Sequence, residues 1–361
     1  MTALSLSLPA LVHNLSVLRS RLNNSTQIIG VVKANAYGLG SVAIAKKLVE
    51  EGVTYLAVAY AAEGIALRKA GLHCPIMVFY PQPDHFNALI QHCLEPVLYN
   101  RYSFEKFSQC LKQQQIPSYP IHLKFNTGLN RIGFTEGECS WLLNELPKAP
   151  FELRSVYSHL AASEEAVPHQ PTQRQFEAFQ KVKSQFENQH PTAFFHILNT
   201  SGVFNYPKYQ FDAVRAGIAL YGFANQPQWD VQLKAVAKLT AKIIQIHNLE
   251  KGETVGYNQA WTAPKPSRIA TLPLGHADGI GRQFGHGKGQ VRIKEQYAPI
   301  VGHVCMDMVM IDVSNIACEE GDTAVLFDNK SPLQDWAETG QTIPYEFLTG
   351  LSQRIPRLIV Y

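Results

Sequence analysis

The sequence contains no apolar run of ~18 residues, the length a membrane-spanning helix needs, so no membrane span is expected. It has no C-x-x-C pair among its six cysteines, Cys74, Cys93, Cys110, Cys139, Cys305 and Cys318. Structural zinc and a disulfide framework are therefore not expected, and a reducing cytoplasm fits. It also lacks any block of like charge. Arg19, Lys46, Lys112 and Lys183 are scattered, and 32 basic against 29 acidic residues leave a formal net charge of +3. Nucleic-acid binders usually carry a concentrated basic excess, so nucleic acid is not the expected partner. The opening MTALSLSLP has no basic n-region and does not read as a signal peptide. Low-complexity stretches and short-period repeats are missing too.

What is present is a globular composition. Of 361 residues, 46% are apolar and 17% charged, enough to bury a substantial core and to exclude global disorder. The length suggests two domains, or one large barrel with an appendage. Eight short β-type runs occupy residues 28–34, 55–59, 76–80, 95–99, 121–126, 153–159, 194–199 and 211–215. Helix-period segments lie between them, among them 41–51, 61–70, 103–114 and 172–189. Strand–helix alternation specifies parallel strands with helical crossovers, and eight such units predict a (β/α)8, TIM-type barrel over residues 9–230. From about Val236 the pattern changes to β-type runs separated by Gly, Asn, Asp and Pro, with helical periods only at 333–338 and 345–351. Residues 231–361 are expected to form a mostly antiparallel β domain, with strand-like residues 1–8 as a possible partner for it.

Active sites of such barrels lie at the C-terminal ends of the strands. Lys33 and Ala34 end the first run, the fifth leads through Lys124 to Arg131, His159 ends the sixth, Asn199 ends the seventh with Thr200-Ser201 after it, and Arg215 ends the eighth with Gly217-Ile218 after it. A lysine at the end of an apolar strand is costly to bury, and a partly desolvated amine forms Schiff bases readily. The bland alternative is a lysine that reaches solvent or pairs with a carboxylate. The hydroxyls and amides after the seventh and eighth strands suit a phosphate, although ordinary polar turns look the same. Together they point to pyridoxal phosphate, or to an aldolase acting on a phosphorylated substrate.

Six segments resemble the alanine racemase family, in order and across nearly the whole chain. These are residues 31–40 (VVKANAYGLG), 124–134 (KFNTGLNRIGF), 212–222 (DAVRAGIALYG), 256–264 (GYNQAWTAP), 304–308 (VCMDM) and 343–357 (IPYEFLTGLSQRIPR). The resemblance implies that Lys33 holds pyridoxal 5'-phosphate as a Schiff base and serves as the base for D-alanine, with Tyr257 as the base for L-alanine. It implies that Arg215 faces the pyridine nitrogen and that Tyr37, Thr200 and the amides of Gly217 and Ile218 contact the phosphate. Ser201 is a neighbouring hydroxyl, and His159 and Asn199 complete the cofactor side. Arg131 and Met306 match substrate-binding positions. Lys124 matches a lysine that carries a carbamate in some members, with a plain ammonium as the alternative. Tyrosine is a poor base at neutral pH, so Tyr257 needs cationic neighbours, for which His159 and Arg215 are the candidates. A head-to-tail homodimer with shared sites follows, because the family draws Tyr257 and Met306 from the partner subunit. So does a role in supplying D-alanine for peptidoglycan. His276, Gln353 and Asn258 depart from the family pattern. A serine or broader small-amino-acid racemase, a decarboxylase of the same fold, a non-catalytic cofactor carrier and the aldolase are the alternatives.

Overall fold

The short runs become strands because nearly every residue in them is buried, as parallel strands covered on both faces require. A computed structural model describes residues 2–165 and 169–360. After an opening strand, β1 (Ala3–Ser7), come β2 (Gln27–Val31), β3 (Tyr55–Val58), β4 (Ile76–Val78), β5 (Glu95–Leu98), β6 (Tyr119–Lys124), β7 (Phe151–Tyr157), β8 (Phe194–His196) and β9 (Ala213–Ala216). Strands β2 to β9 form one eight-stranded sheet in which successive strands pair in parallel and β9 pairs back onto β2. The remaining seam is drawn together by Asp212 N donating to Phe195 O at 3.0 Å and Arg215 N donating to Leu198 O at 3.0 Å. This is the (β/α)8 barrel.

The crossover helices follow from spacing and capping. In Arg101–Gln113, Phe104, Phe107 and Leu111 fall on one buried face, while Asn100 Oδ1 accepts from Ser103 N at 2.8 Å. The Phe107 ring stacks against Phe151 of β7 at 5.9 Å. Helix Gln170–Phe186 buries Phe176, Phe179, Val182 and Phe186 in the same way.

The second sheet has nine strands, in the spatial order Gln245–Leu249, Ser267–Leu272, Val309–Asp312, Gln296–Val301, Gln290–Ile293, Thr323–Phe327, Ala237–Lys242, β1 and Arg357–Val360. All of its pairings are antiparallel except that of β1 with Arg357–Val360. The chain accordingly divides into two compact units. One comprises Met1–Leu11, Tyr37–Gly40 and Lys234–Tyr361, the other Val12–Ala36 and Ser41–Leu233. The small segment Tyr37–Gly40 is held to the nine-stranded unit by Arg357, whose guanidinium donates to Gly38 O at 2.8 and 3.2 Å. Gly38 is required there: its φ is +85°, and a Cβ would lie 2.2 Å from Leu348 O.

Several elements differ from the sequence expectation for identifiable reasons. The first barrel strand ends at Val31 rather than running to residue 34, because Ala34, Asn35, Ala36 and Tyr37 all adopt left-handed backbone, with φ between 51° and 55°. The seventh ends at His196, since Asn199 already caps a helix, Thr200–Asn205. The run at 238–249 is two strands, because the chain changes partners at Ile243 and Ile244, whose amides bond to Asp322 and Thr271.

Leu6 is fully buried in β1, whereas Ser5 is half-buried. Leu6→Ala is expected to remove about 3 kcal/mol of unfolding free energy in urea titration, and Ser5→Ala about 0.5 kcal/mol or less.

Candidate active site

Strand β9 delivers Arg215 into the barrel interior, 3% exposed. Its guanidinium donates to His196 Nδ1 at 2.6 Å, His159 Nδ1 at 3.0 Å, Ser158 O at 2.8 Å and Ile197 O at 2.9 Å, and lies 4.9 Å from the Tyr157 ring centre. Among the described residues no carboxylate pairs with it. Burial lowers its pKa to about 10, which still leaves it charged at neutral pH.

Lys124, at the end of β6, is 4% exposed, with its Nζ 5.8 Å from the same Tyr157 ring. Burial first, then the charges of Arg215, Arg131 and Lys33, bring its pKa down to about 7. Lys33 is half-buried; burial and Arg131 and Arg215 lower its pKa, opposed by the carboxylate of Glu63. The mouth therefore gathers cations with little countercharge, a field suited to an anionic ligand. One expectation needs correction here. His159 does not supply positive charge, because burial and the surrounding Arg215, Lys124, Arg131 and Lys33 hold its pKa well below the ordinary value. Arg215 remains the cationic candidate.

Lys33 opens the left-handed segment, which costs about 1–2 kcal/mol for each non-glycine residue. Its anchors are visible. Ala34 N donates to Glu63 Oε1 at 2.5 Å, Ala36 N to Val32 O at 2.9 Å and Ser41 N to Asn35 Oδ1 at 2.8 Å. Glu63 also accepts from Ala59 and Tyr60. Strain this large, fixed this firmly, marks a site where a side chain must be aimed. Sequence reasoning missed Glu63; the available signal was a carboxylate in the first turn of the helix after the second barrel strand.

After β8, Asn199 Oδ1 accepts from Gly202 N at 3.0 Å, and Thr200 and Ser201 are buried. Gly217 N donates to Thr200 Oγ1 at 3.0 Å, so this amide, expected to face a phosphate, is satisfied within the chain. The Thr200 hydroxyl proton remains to be donated. Ser201 Oγ accepts from Asn225 at 3.2 Å, and Ile218 starts the turn Ile218–Tyr221. The amine, the cations and these hydroxyls are the donor set that a phosphorylated aldehyde would use. Arg131 is exposed in the loop after β6, and Gly133 at φ +132° brings Phe134 N back to Lys124 O at 2.8 Å.

The remaining expected residues lie on the nine-stranded unit. Tyr257 is 70% exposed and Met306 58% exposed. Asn258 has φ 57°, so the asparagine occupies a conformation that glycine would otherwise fill and asparagine tolerates. Met306 O accepts from Ala277 N at 3.0 Å, and His276 N donates to Cys305 O at 2.9 Å. Arg354 ties this turn to the Met306 loop by bonding Asp278 at 2.7 and 2.8 Å and Asp307 at 2.7 Å. Tyr37 is buried with its ring 5.9 Å from Tyr345. Tyr345 lies on the C-terminal segment, and sequence reasoning passed over it.

Residues 6–225 match the family profile "Alanine racemase, N-terminal domain", and residues 236–359 match "Alanine racemase, C-terminal domain". The chain belongs to the alanine racemase family. It is 34% identical to alanine racemase 1 of Clostridium acetobutylicum over 98% of this chain and 94% of that protein. It is 33% identical to the alanine racemase of Treponema denticola over 97% of this chain and 96% of that one. Among solved structures, the alanine racemase of Clostridium difficile superposes with a TM-score of 0.93 at 30% identity, covering 99% of this chain and 95% of that one. The alanine racemase of Bartonella henselae with covalently bound pyridoxal phosphate gives a TM-score of 0.89 at 29% identity, covering 100% and 99%.

A buried lysine with pKa about 7 makes folding depend on pH in one direction. Between pH 7 and the ~10.4 of an unperturbed lysine, the unfolded chain binds a proton there that the folded chain does not, so stability rises with pH across that window. In urea titrations, Lys124→Met is expected to reduce that rise, with the gain over wild type greatest below pH 7.

Proposed function

We propose that this chain interconverts L- and D-alanine with pyridoxal 5'-phosphate bound at the mouth of its barrel. The observation that carries the reading is Lys33, an amine held by a strained turn among the charges of Arg131, Arg215 and Lys124. When bound, the cofactor supplies an aldehyde that condenses with amines and a ring that draws electrons from the α-carbon. Lys33 would hold it, and Thr200, Ser201 and Tyr37 would bind its phosphate.

The residues then divide the work. The lowered pKa of Lys33 keeps more of its amine free to bond and later to hold or return the α-proton on one face. Tyr257 holds and returns the proton on the other face. Arg215, charged and without an acceptor, would offer the pyridine nitrogen only N–H donors and no proton to share. A ring held in this way would draw electrons less strongly, which favours return of the proton over transamination or elimination and disfavours the decarboxylase reading. Arg131 and Met306 orient the substrate. Lys124, with a pKa of about 7, is a free amine in about half of the molecules at pH 7; it would add carbon dioxide and release a proton to give a carbamate, whose negative charge would then orient Arg131. Tyr257 and Met306 serve the site of a second copy in a head-to-tail homodimer, and their exposure here supports that reading. The six free cysteines fit a cytoplasmic enzyme supplying D-alanine for peptidoglycan.

The test uses both bases. Tyr257→Phe removes only the titrating hydroxyl, so cofactor binding should survive, while α-proton exchange falls much more for L-alanine than for D-alanine. Lys33→Ala should abolish covalent cofactor binding and all activity. Mixing these two variants, with subunit exchange verified by a mass tag, should restore activity, since one site of a mixed dimer has both groups intact. Verified exchange with no recovery would assign both bases to a single chain.

A further inference from the structure

Strands of a parallel barrel fill its interior with layers of side chains, usually apolar ones. Here one continuous row is polar. From β9 to β5 it reads Arg215, His196, Ser155, His122 and Glu95, each contributed by a different strand and each at most 6% exposed. Arg215 contacts His196 Nδ1 at 2.6 Å. His196 Nε2 meets Ser155 Oγ at 3.2 Å, Ser155 Oγ meets His122 Nδ1 at 2.7 Å, and His122 Nε2 meets Glu95 Oε2 at 3.0 Å. Tyr55 on β3 closes the far end, donating a short hydrogen bond to Glu95 Oε2 and lying 3.3 Å from His122 Nε2.

With one proton on each ring, the direction of every bond in this row follows from its two ends. Arginine has no acceptor, so His196 Nδ1 must accept and the His196 proton sits on Nε2. That proton is donated to Ser155, whose own proton goes to His122 Nδ1. His122 is then protonated on Nε2 and donates to the Glu95 carboxylate, which can only accept. In this arrangement the row joins a cation to an anion through aligned dipoles. Reversing the row would face donor against donor at Arg215 and acceptor against acceptor at Glu95. A buried charge without a partner is strongly destabilising, and among the described residues Arg215 touches no carboxylate.

We infer that Glu95 is the counter-ion of Arg215, acting across the barrel through neutral His122, Ser155 and His196, and that this relay holds Arg215 charged and aimed at the cofactor ring. The relay rests on the geometry above; its functional consequence rests on the proposed placement of Arg215 against that ring. Glu95, His122, Ser155 and His196 are positioning residues. None is required to touch substrate.

The relay is read directly by nitrogen-15 NMR of histidine-labelled protein, with signals assigned by His122→Gln and His196→Gln. Both rings should be neutral and protonated on Nε2. Glu95→Gln should move the His196 ring-nitrogen signals, and the same change made in a Ser155→Ala background should not. Groups that orient a residue in contact with a bound centre are commonly worth about 10–100-fold. Glu95→Gln and Ser155→Ala should therefore each lower kcat for alanine about tenfold with little change in KM, while Ser155→Thr, which keeps the hydroxyl, stays within about twofold of wild type. An Nδ1-protonated or cationic ring at either position overturns the inference. So does an unchanged His196 signal in Glu95→Gln. Arg215→Lys, measured in parallel, separates the two layers of the argument. If it slows racemisation while Ser155→Ala does not, the relay is wrong and the placement of Arg215 stands. If neither slows it, the placement itself is wrong.

Discussion

The Arg215 guanidinium is a full charge inside the barrel whose direct partners are two histidine rings and two carbonyls. Much of the site follows from that choice. A cation without an adjacent carboxylate depresses the pKa of every basic group near it, and both Lys124 and Lys33 respond in that direction. It also keeps His159 and His196 neutral, with burial as the larger cause in each. The same charge that would discourage protonation of a pyridine ring thus shifts the neighbouring amines toward their reactive, neutral form. A carboxylate in place of any of these neutral partners would reverse both effects.

A second constraint lies in the backbone. Four consecutive non-glycine residues, Ala34 to Tyr37, stand in the left-handed region, a conformation that chain chirality normally forbids in runs. Such a segment persists only when its surroundings over-determine it. Glu63 binds its first amide and Asn35 binds Ser41, while Arg357 secures Gly38 on the nine-stranded unit. Glu63 thereby serves twice, as backbone anchor for the turn and as the carboxylate that tempers the cationic field on Lys33.

Much of this was legible in the sequence. Buried strand runs separated by helical periods specify a parallel barrel, and the loss of helical period after Val236 marks the change to an antiparallel sheet. Lys33, Arg215 and Thr200 were visible because strand ends are where barrels place chemistry. The left-handed turn was not, since no glycine or proline announces it before Gly38 and the alanines it contains favour helix. The polar row was missed for a related reason. His122 sits between Ile121 and Leu123 in Tyr119–Lys124, and period-two patterning cannot tell a satisfied interior histidine from a member of a network. Only the barrel's register brings His122 opposite Ser155. Asn258 shows the converse: a departure in sequence that the backbone explains, since φ 57° suits asparagine nearly as well as glycine.

The central claim is that an arginine, by remaining charged and proton-donating, keeps the cofactor's ring nitrogen unprotonated and so confines the enzyme to racemisation. The most direct measurement is product partitioning in Arg215→Glu, which offers the ring a proton-sharing carboxylate instead. Alanine turnover by this variant should show slower racemisation together with a raised ratio of pyruvate to racemised alanine, from transamination. A variant that racemises at the wild-type rate and yields no more pyruvate would contradict the claim and remove Arg215 from the ring.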